Sequence, residues 1–287
     1  MTFINDIIPQ EQAPRIISFV YAGFSVASVL GTPIGTLLSD AFGIKSAFVA
    51  VEAVALLVTV LLLISVPRSG STDVSSSVRE QLVILKDRRI ILVLVMKAFG
   101  MAATYVFYVY VTPILEDSVG LSVWMVSLVL FFYGGATIVS NLGSGSLAQR
   151  YGLGKLPLMF ALQAVVLVLL GVSLASGNTV LCIINVVLTG VFIYHMNAPL
   201  QSYLLQVSAK DYPRALTLAS AVMPTSSDIG IATGSFMGGV VATNLGFAWS
   251  GPVGAVLAVV SVAAAFMILQ PESRMGGSLR SRLRRNR

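Results

Sequence analysis

Charge is what this 287-residue chain has least of. Aspartate, glutamate, lysine and arginine make up 10% of it, and hydrophobic residues 56%. A soluble domain carries about a quarter charged residues, so the missing charge is a missing water-facing surface. Cysteine occurs once, at Cys182, which excludes an intrachain disulfide and any zinc or haem spacing. Histidine occurs once, at His195. No paired metal ligands, nucleophile elbow or phosphate-binding loop is found, so neither a metal nor a cofactor is expected, and no enzyme is read here. The first fifteen residues contain Asp6, Glu11 and two prolines without a basic leading segment, and do not read as a cleavable signal peptide. The net charge of +6 comes without interleaved aromatics or a nucleic-acid motif, so nucleic acid is not an expected partner.

Long apolar runs fill the remainder. They cover roughly 14–37, 46–66, 90–114, 122–142, 156–175, 178–204, 215–241 and 250–270. Each is near the ~20 residues that an α-helix needs to cross a bilayer. The expected fold class is therefore an all-α integral membrane protein with about eight transmembrane helices. Sixteen of the eighteen lysines and arginines fall in every second gap between these runs, the exceptions being Lys45 and Lys97. Basic loops stay in the cytoplasm, which predicts a multi-pass protein of the cell (inner or plasma) membrane with both termini cytoplasmic. Membrane lipid is the expected surrounding partner.

The long basic gap 67–89 divides the chain. Residues 1–66 form a partial N-terminal bundle of two helices, 90–270 a C-terminal six-helix bundle, and 271–287 a basic cytoplasmic tail. Val78, Leu82 and Leu85 in the gap suggest a short amphipathic helix on the membrane surface. The tail reads as unstructured, held near the inner leaflet by charge. Two ladders of small residues, Gly23, Ala27, Gly31, Gly35 and Gly230, Gly234, Gly238, are expected to let helices pack closely.

Three segments resemble the major facilitator superfamily, in its drug:proton-antiporter and sugar-efflux (arabinose efflux permease-like) branch. Gly23 through Thr36 is similar to the antiporter signature, with Gly31, Pro33 and Gly35 matching. The AFGIKSAF that follows fits at Gly43 and Phe48, with Ile44 in place of Trp and Lys45 in place of Arg. Gly145 through Lys155 resembles the family's loop motif at Gly145, Leu147, Ala148, Arg150, Gly152 and Lys155, but Gln149 stands where the motif has Asp. Ser227 through Gly239 resembles the eleventh helix of efflux members, with Asp228 where those usually have Asn. The resemblance implies helices 5–12 of a twelve-helix transporter, with the first four lacking. It leaves two readings open: a truncated piece of a longer protein, or a genuine eight-helix relative.

Charge within a membrane run is a functional candidate by default. Asp228, halfway along its run, is the first proton-coupling candidate, or else a neutral acid bonded to a neighbouring helix. His195 is the second, or else a packing residue. Lys97 is read as snorkelling to the cytoplasmic end, with a cavity-facing stripe continuing through Met101, Thr104 or Tyr105, Tyr108 and Thr112. Tyr110 is assigned to the interfacial aromatic belt. Asn185 with Thr189, and Asn197 with Gln201, share helix faces and either line a pathway or join helices. The cavity candidates are Tyr105, Tyr108, Asn185, Thr189 and Lys97. The expected function is a secondary transporter exporting a small organic solute (drug-like compound, sugar or nucleoside) in exchange for protons along a proton gradient. The alternative is a truncated, non-transporting membrane protein or remnant that needs another chain to complete the pathway.

Overall fold

The computed structural model describes residues 12–65 and 78–285, and among them every regular element is helical. The extreme N-terminus, the Ser-rich half of the inter-bundle gap with Arg68, and the side chains of Val78, Pro33 and the tail beyond Gln270 lie outside the described residues. Nine principal helices follow in order: α1 (Ala13–Phe42), α2 (Ile44–Ser65), α3 (Arg88–Tyr108), α4 (Val123–Tyr151), α5 (Leu156–Ser176), α6 (Thr179–Phe192), α7 (Asn197–Asp211), α8 (Leu216–Asn244) and α9 (Ser250–Arg285). In hydrocarbon the backbone has no water to bond, so spanning segments satisfy themselves as helices. Among the described residues six stretches are long and apolar enough to cross a membrane: Ile44–Ile64, Arg88–Tyr108, Val123–Tyr151, Leu156–Ser176, Thr179–Asp211 and Phe247–Gln270. The other two of the eight expected are α1 and α8, of 30 and 29 residues; glycine, serine and threonine dilute the apolar character of α8.

Local sequence fixes the helix ends. The Asp87 carboxylate caps α3 by accepting from the Arg89 N–H at 2.8 Å, and Asn178 caps α6 by accepting from the Leu181 N–H at 3.0 Å. Of the loop motif, Gly145, Leu147 and Arg150 form the last turns of α4, and Gly152 ends it with φ 54°, a backbone that favours glycine. Lys155 follows, its ammonium 5.6 Å above the Tyr151 ring.

Two expected runs are broken. The run 90–114 stops as a helix at Tyr108, and a short turn Val111–Pro113 leads into a π turn Ile114–Ser118. Pro113 lacks the N–H that would continue the ladder, so Thr112 does not extend the α3 stripe. The run 178–204 is two half-helices, α6 and α7, separated at 193–196. The gap between bundles also differs from expectation. Val78–Gln81 is a single α-turn and Leu82–Lys86 a 3-10 helix in which Ile84 is the buried residue, while Leu82 and Leu85 are exposed. A 3-10 helix rotates successive residues by more than an α-helix, which displaces the apolar face. The basic tail is helical in backbone, since α9 runs to Arg285.

The C-terminal bundle is built on α3. One face of α3 packs on α8 and another on α9; α9 packs on α5, α5 on α6, and α6 on α4. Along α8 the ladder works as expected. A methyl added at Gly230, Gly234 or Gly238 would collide with the carbonyl oxygen of Ala98, Ala102 or Val106 respectively. Both partners advance by four residues, so the two helices run parallel with backbones in contact. The ladder of α1 is a different matter. A methyl at Gly23, Gly31 or Gly35 would meet nothing within 4 Å, so this face carries no close helix contact among the described residues. α2 packs on α1 and is otherwise exposed along its length.

The two ladders should respond oppositely. Gly234→Leu overpacks the seam, and we expect it to destabilise the protein by about 1–3 kcal/mol. Gly31→Ala should be tolerated or should stabilise by up to about 1 kcal/mol through helix propensity. Thermal unfolding in detergent reads both, and equal effects of the two substitutions would contradict this packing.

Candidate functional site

The break between α6 and α7 lies against the middle of α3. Room for it comes from Gly100, where a methyl would stand 2.6 Å from Met196 Sδ and 2.7 Å from Phe160. The Gly100 carbonyl is met from α5, where Gln163 Nε2 donates to it at 2.9 Å and to Thr104 Oγ1 at 3.0 Å. His195 sits in the break. Its Nδ1 is 2.5 Å from the Phe192 carbonyl oxygen, and its ring meets Phe160 edge-on at 4.9 Å. A nitrogen facing a carbonyl carries the proton, so Nε2 is a bare acceptor. It is buried and has no partner among the described residues.

Lys97 enters the same place from α3. It does not snorkel. Its side chain is 1% exposed, its Nζ donates to Asn197 Oδ1 at the start of α7, and the ammonium lies 5.6 Å from the centre of the Tyr21 ring. The physical reason is the partner: an acceptor at the break offers a shorter path than the membrane surface. The network then runs outward through buried amides. Asn197 Nδ2 donates to Asn141 Oδ1 at 2.6 Å, Asn141 Nδ2 to the Tyr21 carbonyl at 3.1 Å, and the Tyr21 hydroxyl to Gln201 Oε1 at 3.4 Å. Four helices, α1, α3, α4 and α7, are therefore tied to one cation. Serines on α4 add to the closure: Ser140 Oγ accepts from the Tyr194 N–H at 3.0 Å and Ser144 Oγ from the Ala198 N–H at 3.4 Å.

Asp228 lies on α8, exposed, two residues before Gly230, the first glycine of the seam. Among the described residues Lys97 and Asp228 form no ion pair within 4.0 Å; the ion pairs found are those of Arg89.

Tyr105 and Tyr108 come together, 5.5 Å apart and edge-to-face. Two tyrosines that the sequence reading missed join them: Tyr133 stacks on Tyr108 at 4.8 Å, and Tyr194 hydrogen-bonds Tyr105. Asn185 and Thr189 are elsewhere. Asn185 Nδ2 donates to the Leu169 carbonyl of α5 at 3.3 Å, and the Thr189 hydroxyl donates to the Val186 carbonyl of its own helix at 2.7 Å. Both serve helix packing rather than the polar centre. Tyr110 covers the seam, its ring beside Gly238 and Gly239 and its hydroxyl 3.5 Å from the Ser235 carbonyl.

The profile of the Major Facilitator Superfamily matches residues 1–213. The chain belongs to that superfamily. Among its similar proteins is the uncharacterised major-facilitator-type transporter YtbD of Bacillus subtilis (strain 168), 30% identical over 262 residues, covering 91% of this chain and 65% of the relative. Another is the inner membrane transport protein YdhP of Escherichia coli (strain K12), 24% identical over 270 residues, covering 93% of this chain and 68% of that protein. The chain thus spans about two thirds of the length of these superfamily relatives. As a superfamily member it is a membrane-embedded, multi-pass chain.

The far end of α7 is also tied to α3. Arg89 reaches Asp87 at 2.7 Å and Asp211 at 2.6 Å, and the Tyr212 hydroxyl donates to Asp87 at 3.1 Å. The Arg89 side chain holds the Asp87 carboxyl below its ordinary value, aided by the Arg89 N–H and Tyr212, against the opposing effect of burial. A lowered carboxyl pKa contributes stability above the unfolded value, about 3.9, and loses it as pH falls through the folded value. Arg89→Ala should therefore lower the melting temperature at neutral pH. Its difference from the wild type should close as the medium is acidified past the Asp87 titration. A difference that persists undiminished in acid would remove the ion pair as its cause.

Proposed function

We propose that this chain is the transporting part of a secondary carrier that exports a small organic solute by exchange with protons. The observation that carries the reading is a buried lysine, Lys97, held at a helix break, on the helix against which α8, with its intramembrane carboxylate Asp228, packs. Ionisable groups at membrane depth are costly and mark ion and substrate paths. Interrupted helices in carriers are found where binding occurs. Asp228 is open to one side and so can exchange a proton; His195, with its bare Nε2, is the second carrier of one. Tyr105 and Tyr108, with Tyr133 and Tyr194, form the aromatic wall that an organic solute would meet. The efflux direction and the solute classes follow from the family branch that the motifs resemble. Localisation in the cell membrane with both termini cytoplasmic follows from the distribution of cations.

The open Gly23–Gly31–Gly35 face supports a second reading, in which the pathway is completed by helices of another chain or of a longer protein. The two readings are separated by assaying the chain alone in vesicles and again together with the missing helices.

Asp228→Asn should reduce transport driven by a pH gradient to background in the complete carrier while leaving membrane insertion intact. Efflux that keeps its dependence on the gradient would remove Asp228 from the mechanism. Reporter domains placed within 67–89 and after the tail should read cytoplasmic and one at 116–121 external; the opposite pattern would invert the topology.

A further inference from the structure

We infer that Lys97 and the start of α7 form a binding place for an anionic group, and that the solute carried is an organic carboxylate. This rests on the reading of the chain as a carrier and names the chemistry of its cargo. Three independent observations converge on it. The first is the lysine itself. A buried ammonium needs acceptors for three N–H groups and a compensating charge. Lys97 has one hydrogen-bond acceptor, Asn197 Oδ1, the face of the Tyr21 ring, and no ion pair within 4.0 Å among the described residues. Amide oxygen and ring face are dipolar partners and leave the charge uncompensated.

The second observation is an excess donor. Gln201 is 0% exposed, and its Nε2 has no partner among the described residues, while its Oε1 accepts from Tyr21. Gln201 is one turn beyond Asn197 on the same face of α7, and the Tyr21 that it accepts from is the residue whose ring faces the Lys97 ammonium. The third is the helix. The fifteen-residue α7 begins at Asn197, without a side-chain cap, and the positive end of its dipole favours an anion there. Its first backbone N–H groups are already used: Asn197 donates to the Tyr194 carbonyl, Ala198 to Ser144 Oγ, and Pro199 has none. Recognition therefore falls to the Lys97 ammonium and the Gln201 amide, a pair of donors suited to the two oxygens of a carboxylate.

Asp228, the carboxylate on α8, forms no ion pair with Lys97 within 4.0 Å. The lid is α1, whose Tyr21 covers the ammonium from the N-terminal bundle. Displacement of α1 from α4 and α7, the rocking motion that carriers of this architecture use, would open the place to solute. Entry of the carboxylate forms no covalent bond; it exchanges the solute's hydration for Lys97 and Gln201.

The test measures thermal stability of the purified protein in nanodiscs with benzoate, hexanoate and glutarate, each beside its primary amide. Carboxylates should raise the melting temperature and the matched amides should not. Asn197→Asp places an internal carboxylate on Lys97 without removing the lysine. It should raise the basal melting temperature and abolish the response to added carboxylates, and Lys97→Met should abolish the response as well. Equal responses to carboxylate and amide, no response to any carboxylate, or an undiminished response in Asn197→Asp would each overturn the inference. Proton-driven flux without carboxylate selectivity would sink this inference and leave the carrier reading. Carboxylate binding without proton-driven flux would do the reverse.

Discussion

A lysine cannot be left in the interior of a membrane protein without something to receive its N–H groups. That requirement organises the centre of this chain. Lys97 holds α3 at a depth where its ammonium meets Asn197, and Asn197 is available because the helix containing it is interrupted. The interruption in turn needs Gly100, whose missing side chain admits Met196. Asn141 and Tyr21 extend the same network to α4 and α1, adding polar ties to the apolar packing of Ile17 against Ala198 and Leu205.

Backbone proximity is the second requirement. Hydrocarbon gives no solvophobic drive between helices, and packing must hold them. The α3–α8 seam brings Gly230, Gly234 and Gly238 onto carbonyl groups of α3, which sets Asp228 beside the lysine's helix. At the other end of α7 the Arg89 cluster ties Asp87, Asp211 and Tyr212 together. The half-helix α7 is consequently fixed to α3 at both ends, by a buried hydrogen bond at the break and by ion pairs at its terminus.

Much of the architecture was legible in sequence because membrane burial is written in one dimension. Run length gives span number, and the gaps that carry cations give a side. What failed to show was three-dimensional. In the apolar run from 178 to 204, Pro199 lacks the N–H that would bond the His195 carbonyl, which marks a break, but the room that admits it, at Gly100, is on another helix. Lys97 lies near enough to a helix end that snorkelling and inward burial look alike from sequence; its acceptor is 100 residues away. The glycine ladders of α1 and α8 have the same spacing, yet among the described residues only that of α8 meets a helix backbone, because occupancy belongs to the neighbour. Asp228, Tyr105 and Tyr108 were singled out from residue type and depth, and the two tyrosine rings meet. Tyr133 and Tyr194 were not, since a tyrosine in an apolar run carries no sign of which helix it will meet.

The most direct measurement is an experimental structure of the protein in a lipid nanodisc, resolved well enough to place side chains. The account predicts a backbone interrupted at residues 193–196, with the Lys97 amine against the Asn197 side chain beneath the Tyr21 ring. A continuous helix through His195, with Lys97 extended to the membrane surface, would contradict it.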